Sequence, residues 1–556
     1  ILLTGGHIVN VFTHEILPLN IAIQNGLIAG IGKSYAAGNT VIDVSGQVIL
    51  PGLIDAHLHI ESTLLIPVEF ARAVLCHGTT AVVADPHEIA NVLGEEGVSF
   101  MLSSTSGLPL DFFFTVPSCV PATDMETAGG EIDAATVERL LQHPRVVGLA
   151  EVMNYPGVIS GDRTLMQKIA AARNAGKMLD GHAPLLSGLE LQAYLSCGIS
   201  TDHECTTVAE ALEKTKGGMN IIIRQGSAAK NLAHLLPAVT KANMHSFMLG
   251  SDDKEAAALL SDGHMNAILR QAVALGANPV LAIQMATLNP ARHYRLWGRG
   301  ALVPGYRADL VVVDNLTRFN AALVIKDGQI IVRDGKLEVP LKAPAPGLNY
   351  LKTINLTRAL QPEDFYVIHG PGPVPVIGII SGQITTEKLF IEPLRTADGE
   401  IMADPARDLL KLAVVERHRG SGRIGHGLVR GLGLKSGAIA SSVAHDAHNI
   451  IVAGVEATVM AAAVNALAEI GGGFVVVDKS GKVCAELPLP VAGIMSLETA
   501  GVVAERLEMV TAAARTLGAL PEQPFLTLSF LALPVIPHLK LTDRGLVDVD
   551  AFCFLS

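Results

Sequence analysis

Short apolar runs broken by turn residues fill the chain from Ile1 to about Ile49, where LLTGGHIVNVFTHEILPLNIAIQNGLIAGIG reads as a series of short strands. Within it, IAIQNGLIAGI sets Asn-Gly between two β-rich runs, which is a hairpin signal. The same texture returns near residues 300–336, in LVPGYRADLVVVDNL and LVIKDGQIIVRDGK. Two β-rich segments flanking a long insert predict one small β-sandwich built from both flanks, residues 1–50 with 299–343. Consecutive strands of that sandwich are then not neighbours in the sequence.

Between the flanks the pattern alternates. Strand-like runs at 78–85, 146–153, 176–183, 198–204, 219–226 and 246–253 are separated by helical stretches such as DRTLMQKIAAARNAG and EAAALLSDGHMNAILRQAVALG. Alternating β and α over this length predicts an α/β fold with a (β/α)8 barrel at residues 51–298 and an active site at the C-terminal strand ends. A Pro-rich connector, VPLKAPAPG, then leads into a further α/β domain, residues 344–556, with an Ala-rich helical run at 456–469. GGGFVVV is not a dinucleotide fingerprint, and neither a P-loop nor a strict internal repeat is present.

Composition narrows the class. The chain has 556 residues, 49% apolar and only 17% charged, with mean hydropathy +0.40, as expected for a core-rich protein of several domains. A formal charge of −12 leaves no basic footprint for nucleic acid. No apolar run reaches the ~18 residues of a membrane span. Six scattered cysteines without a CxxC point to reduced thiols and a cytoplasmic enzyme. The chain opens on Ile1 in strand-like sequence, so further residues are expected before it, and nothing visible resembles a targeting segment. Size and apolar content suggest a homodimer or larger homo-oligomer.

The candidate chemistry gathers where the strand-like runs end. VILPGLIDAHLHIEST brings His57 and His59 to one face of a strand, and Asp55 lies on that face as a possible orienter of a ligand histidine. The later runs finish in Asp85, Glu151, His182, His203 and Asp252. Four histidines and two carboxylates, His57, His59, Glu151, His182, His203 and Asp252, suit a site for two divalent ions about 3.5–4 Å apart. Such a site turns water into a nucleophile at neutral pH, and Asp252 on the last strand can carry its proton to a leaving group.

These residues carry a resemblance. PGLIDAHLH after a β-rich start, with GYRADLVVVD re-entering it, looks like the amidohydrolase superfamily. That resemblance implies that His57, His59 and Asp252 bind one metal, that His182 and His203 bind the second, and that a carboxylated lysine bridges them. This chain departs there, because VGLAEVMN offers Glu151 and no lysine. HLHIEST, ADPHEIANV, GLAEVMNYPGV, DGHAP, STDHECTT and MLGSDD, then SSVAHDAHNIIVAG and SFLALPVIPHLKLTDRGL, are similar to the bacterial adenine deaminase family across nearly the whole chain. The resemblance implies hydrolysis of adenine to hypoxanthine and ammonia at two Mn2+ or Fe2+ ions, with Zn2+ also compatible. Glu151 would bridge the ions, and Asp252 would be both ligand and proton shuttle.

Further residues are candidates for substrate contact: Glu61, Asp85, His87, Glu88, Glu204 and His445. Asp85 either caps a helix beginning near Glu88 or contacts substrate or metal. Glu204, as a strand neighbour of His203, is expected to point away from the site. His445, Asp446 and His448 form either a polar turn or a further metal or substrate contact, while Arg224 and His264 are candidates for the same rim. A cyclic-amide or N-acyl hydrolase is the alternative within the superfamily, and an inactive scaffold the alternative outside enzymes.

Overall fold

Apolar residues without interruption are what a strand covered on both faces requires, and Leu53–Leu58 is buried at every position. It is the first of eight parallel strands in the computed structural model, which describes residues 1–342 and 344–555. In chain order they are β1 (Leu53–Leu58), β2 (Thr79–Ala84), β3 (Asp111–Val116), β4 (Val146–Val152), β5 (Met178–Gly181), β6 (Thr201–Asp202), β7 (Asn220–Arg224) and β8 (Phe247–Gly250). The first five form one sheet and the last three another. Ser200 N donates to Leu179 O at 2.9 Å across one junction, and Asp252 N donates to His57 O at 3.0 Å across the other. The strands therefore close into an α/β barrel, with additional β-sheet domains beside it.

Sequence pattern missed β3, because DFFFTV is a short apolar run without alternation. The helix expected across 255–276 is broken into Ala256–Ser261 and Met265–Ala274. Gly263 lies between them at φ +100°, a conformation that stops a helix.

Two other sheets lie outside the barrel, and one of them is built from both ends of the barrel sequence. Val48–Pro51 pairs antiparallel with Leu310–Val313, so strands before and after the barrel share one seven-stranded sheet. Leu3, Ile8, Ile23, Ile49, Leu310 and Ile325 form a common apolar core that joins this sheet to a four-stranded one. The expected hairpin forms, with Asn25 and Gly26 at φ 51° and 77°, the positive values a two-residue primed turn needs. Asp327 and Gly328, at 50° and 74°, make a second turn of the same kind in the returning segment. The expected boundary at residue 343 falls outside the described residues.

Beyond it lies an eight-stranded sheet with the helix Ala457–Glu469 on one face. The helix Ala500–Thr516 packs between this sheet and barrel helices Pro67–Leu75 and Ala256–Ser261. Polar bonds fasten the block to the barrel: Thr127 N and Oγ1 donate to Asp543 at 2.8 and 2.7 Å, and Asn449 Nδ2 donates to Thr127 O at 2.8 Å. No helix among the described residues is long and apolar enough to cross a membrane.

Asp55 does not orient a ligand imidazole. Its carboxylate accepts from His57 N at 3.2 Å and from Ser251 N at 3.1 Å, and it faces His264 Nε2 at 3.0 Å. It thus stitches the β1–β8 seam from below, with His264 beneath the site and not on its rim. Asp55→Ala leaves two buried N–H groups and a buried imidazole without their anion, so we expect a loss of about 3 kcal/mol or more in denaturant unfolding.

Candidate metal centre

The strand ends bring six side chains to one point. His57 and His59 follow one another along the end of β1, Glu151 lies within β4, and His182, His203 and Asp252 sit just past β5, β6 and β8. Glu151 Oε1 is 3.1 Å from both His57 Nε2 and His59 Nε2, while its Oε2 is 3.0 Å from His182 Nδ1 and 3.7 Å from His203 Nε2. One carboxylate therefore faces two histidine pairs, one with each oxygen. Asp252 Oδ1 completes the first set, at 3.6 and 3.3 Å from His57 and His59. The His57 and His203 rings stack at 4.2 Å, joining the sets.

Supporting bonds aim these groups. His59 Nδ1 donates to Asp85 O at 3.1 Å, which leaves the lone pair on Nε2 facing inward. Arg224 NH1 donates to Asp252 Oδ2 at 2.9 Å, turning Oδ1 toward the histidines. Arg224 also grips both oxygens of Glu204, with NH2 to Oε2 at 2.6 Å. Glu204 does not point away: β6 ends at Asp202, so strand alternation no longer governs it, and it lies 3.7 and 3.5 Å from His182 and His203. His182 is the least buried of the set at 24% side-chain exposure against 5% or less for the others, so the site opens on its side.

The donor set fits divalent ions. Ligands sharing an ion at about 2.0–2.2 Å stand roughly 3–3.6 Å apart, which matches most of these separations. His57 Nε2 and Glu151 Oε1 are buried 3.1 Å apart and neither makes a hydrogen bond, the spacing of two ligands of one ion. Buried groupings of His57, His59 and Asp252 and of His57, Glu151 and His203, and a half-buried one of His182, His203 and Glu204, each present donors close enough for one ion. Burial opposes an imidazolium at His57, but Asp252 and Glu151 outweigh it and raise the ring to about 10. Burial likewise opposes the Glu151 anion, and His203, His182, His57 and His59 together hold it well below the usual carboxylate range. Cationic charge is what this pocket demands, and protons supply it where ions do not.

The remaining candidates fall around this centre. Asp85 caps no helix; the helix His87–Leu93 has no side-chain cap, and Asp85 Oδ2 accepts from His87 Nδ1 at 2.8 Å. The His87 ring packs edge-on against His59 at 4.6 Å. Glu61 Oε1 accepts from Ile89 N at 3.2 Å, and its Oε2 is buried without a partner. Glu88 faces away from the histidine sets to meet His445 and His448 of the C-terminal block. Pattern reading had no signal for the Arg224–Asp252 contact, since the two residues lie 28 apart on separate strand ends.

Residues 48–331 match the amidohydrolase family model, and residues 383–553 match that of the adenine deaminase C-terminal domain. The adenine deaminase of Desulfatibacillum aliphaticivorans is 47% identical over 100% of this chain and 96% of its own length. That of Methanothrix thermoacetophila is 47% identical over 99% and 96%, and that of Thermosipho africanus 43% over 99% and 95%. The chain belongs to the adenine deaminase family of amidohydrolases. The buried His, Asp and Glu clusters are those of a two-metal amidohydrolase site, and in this adenine deaminase family member a glutamate stands between them.

Two outcomes follow from that glutamate. Glu151→Gln replaces one anionic oxygen by an amide N–H donor, so the variant should purify with far less than two ions per chain by elemental analysis. Metal loading should also rise with pH: His57 without an ion holds its proton up to about 10, and that proton must leave before an ion binds. Chelator should accordingly strip metal faster at pH 5.5 than at pH 8.

Proposed function

We propose that the chain hydrolyses adenine to hypoxanthine and ammonia, with two divalent ions, Mn2+ or Fe2+, held by His57, His59, Glu151, His182, His203 and Asp252. The observation that carries this is the carboxylate of Glu151, which presents one oxygen to each histidine pair. Two ions in that position supply Lewis acidity and lower the pKa of water enough for attack at neutral pH. Zn2+ suits the same ligands.

The protein's own groups then do the rest. Water oxygen bonds to C6, the bond from C6 to the exocyclic nitrogen breaks, and the two water protons end on N1 and on the departing ammonia. Asp252 takes the role of carrying the proton to the amine. Its Oδ2 is fixed by Arg224, which aims the carboxylate at the histidine sets, where the proton is received and released. Glu61, Asp85, His87, Glu204 and His445 form the remainder of the substrate wall in this reading, while Glu88, also expected there, is turned to His445 and His448. Residues 1–50 with 299–343 form one β-sandwich, 51–298 the (β/α)8 catalytic barrel and 344–556 a C-terminal α/β domain. We take the active form to be a homodimer or larger.

Ammonia release from adenine by the Mn2+-reconstituted protein is the direct test, with adenosine and hydantoin in parallel. Turnover of adenine that a chelator abolishes and Mn2+ restores is the expected result; turnover of hydantoin instead would replace the reading with cyclic-amide hydrolysis. Asp252→Asn should reduce kcat by about 10²–10⁴ while leaving the thermal melting curve close to that of the parent, and an unchanged kcat would remove its proton role.

A further inference from the structure

The two histidine pairs of the metal centre are each faced by a carboxylate of their own. Asp252 Oδ1 stands 3.6 and 3.3 Å from His57 Nε2 and His59 Nε2. Glu204 Oε1 stands 3.7 and 3.5 Å from His182 Nδ1 and His203 Nε2, so it faces the second pair as Asp252 faces the first. Glu151 completes both sets from between them, with one oxygen on each. Each half of the centre therefore presents two imidazole nitrogens and two carboxylate oxygens, a donor set that suits one divalent ion.

Local structure holds Glu204 in this position. Asp202, the last residue of β6, is buried, and its Oδ1 accepts from Glu204 N at 3.1 Å and from Ala183 N at 3.2 Å. One oxygen thus anchors both the residue after His182 and the residue after His203. Lys214 Nζ, itself buried, lies 2.5 Å from Asp202 Oδ2 and balances its charge. Asp55 does the same for the first set, accepting from His57 N and from Ser251 N beside Asp252. Arg224 then joins the two outer carboxylates: NH1 donates to Asp252 Oδ2 at 2.9 Å and to Glu204 Oε1, and NH2 donates to Glu204 Oε2 at 2.6 Å. A carboxylate oxygen has two lone pairs, so Oε1 accepts from Arg224 and still turns one toward His182 and His203.

We propose that Glu204 is a ligand of the second ion, the counterpart of Asp252 at the first, with Arg224 the strut that sets the two carboxylates against each other. The inference rests on the two-ion reading above and moves Glu204 from the substrate wall into the ligand set. Without it, the second ion faces two neutral imidazoles and only a shared carboxylate. With it, each ion has an anion of its own besides the shared one. The Glu204 side chain is 14% exposed against 5% for Asp252, so the second ion lies nearer solvent and depends more on this ligand for its retention.

Ions per chain are the readout. Parent and variants are reconstituted with Mn2+, freed of excess metal, and measured by elemental analysis and by competition with a chromophoric chelator. The parent should hold two ions. Glu204→Gln keeps the size of the side chain but loses the anion; it should keep the first ion and bind the second at least about tenfold more weakly. Glu204→Asp keeps a charge for Arg224 yet falls a methylene short of the ion, and should show the same selective loss. Melting of the metal-free proteins identifies which variants fold. Parental affinity for both ions in either folded variant, or an equal loss of both ions, overturns the inference while leaving the two-ion centre intact. A parent that takes up a single ion overturns the two-ion reading itself, and the inference with it.

Discussion

Glu151 is a fully enclosed carboxylate with a histidine pair on each oxygen, and an anion so placed costs several kcal/mol unless positive charge faces it. That need sets the character of everything around it. Four imidazoles and the Asp252 carboxylate crowd within ligand distance. Divalent ions would satisfy all of these groups together, and His57 Nε2 and Glu151 Oε1, buried without a hydrogen bond, are spaced for one. A fixed glutamate also makes the centre independent of any modification of a lysine.

Closing eight strands is what makes such crowding possible. The donors come from β1, β4, β5, β6 and β8, so small errors in any strand would scatter them. Asp55 counters this at the seam, accepting N–H groups from His57 itself on β1 and from Ser251, next to Asp252, after β8. Arg224 does the same above the sheet by tying Asp252 to Glu204. Rigid strand ends and charged braces together hold reactive groups in register without relying on loops.

The C-terminal block contributes to the same site from far along the chain. His445 and His448 clamp Glu88 from 357 and 360 residues away in sequence. Asn449 and Asp543 meanwhile fasten the block to the Thr127 loop. A domain that docks beside a barrel mouth can shape what enters it, and here the docking face carries buried polar groups instead of a purely apolar seam. Burying them is stable only because each of these bonds is made between the two units.

Much of this was readable from residue order. The β/α alternation, the Asn-Gly hairpin and the six donor residues at strand ends all follow from local rules of period and turn chemistry, which need no knowledge of distant neighbours. Resemblance to a family added the pairing of those donors. Other features depend on which residues meet in space: the role of Asp55 beneath the seam, the inward turn of Glu204 once β6 stops at Asp202, and the grip of Arg224 on Asp252. Whether SSVAHDAHN was a polar turn or part of the site belonged to the same class. Local sequence determines which elements form and which side chains share a face; closure of the barrel and docking of the last domain decide which of those side chains touch, because contacts across hundreds of residues are set by packing and have no periodic signature.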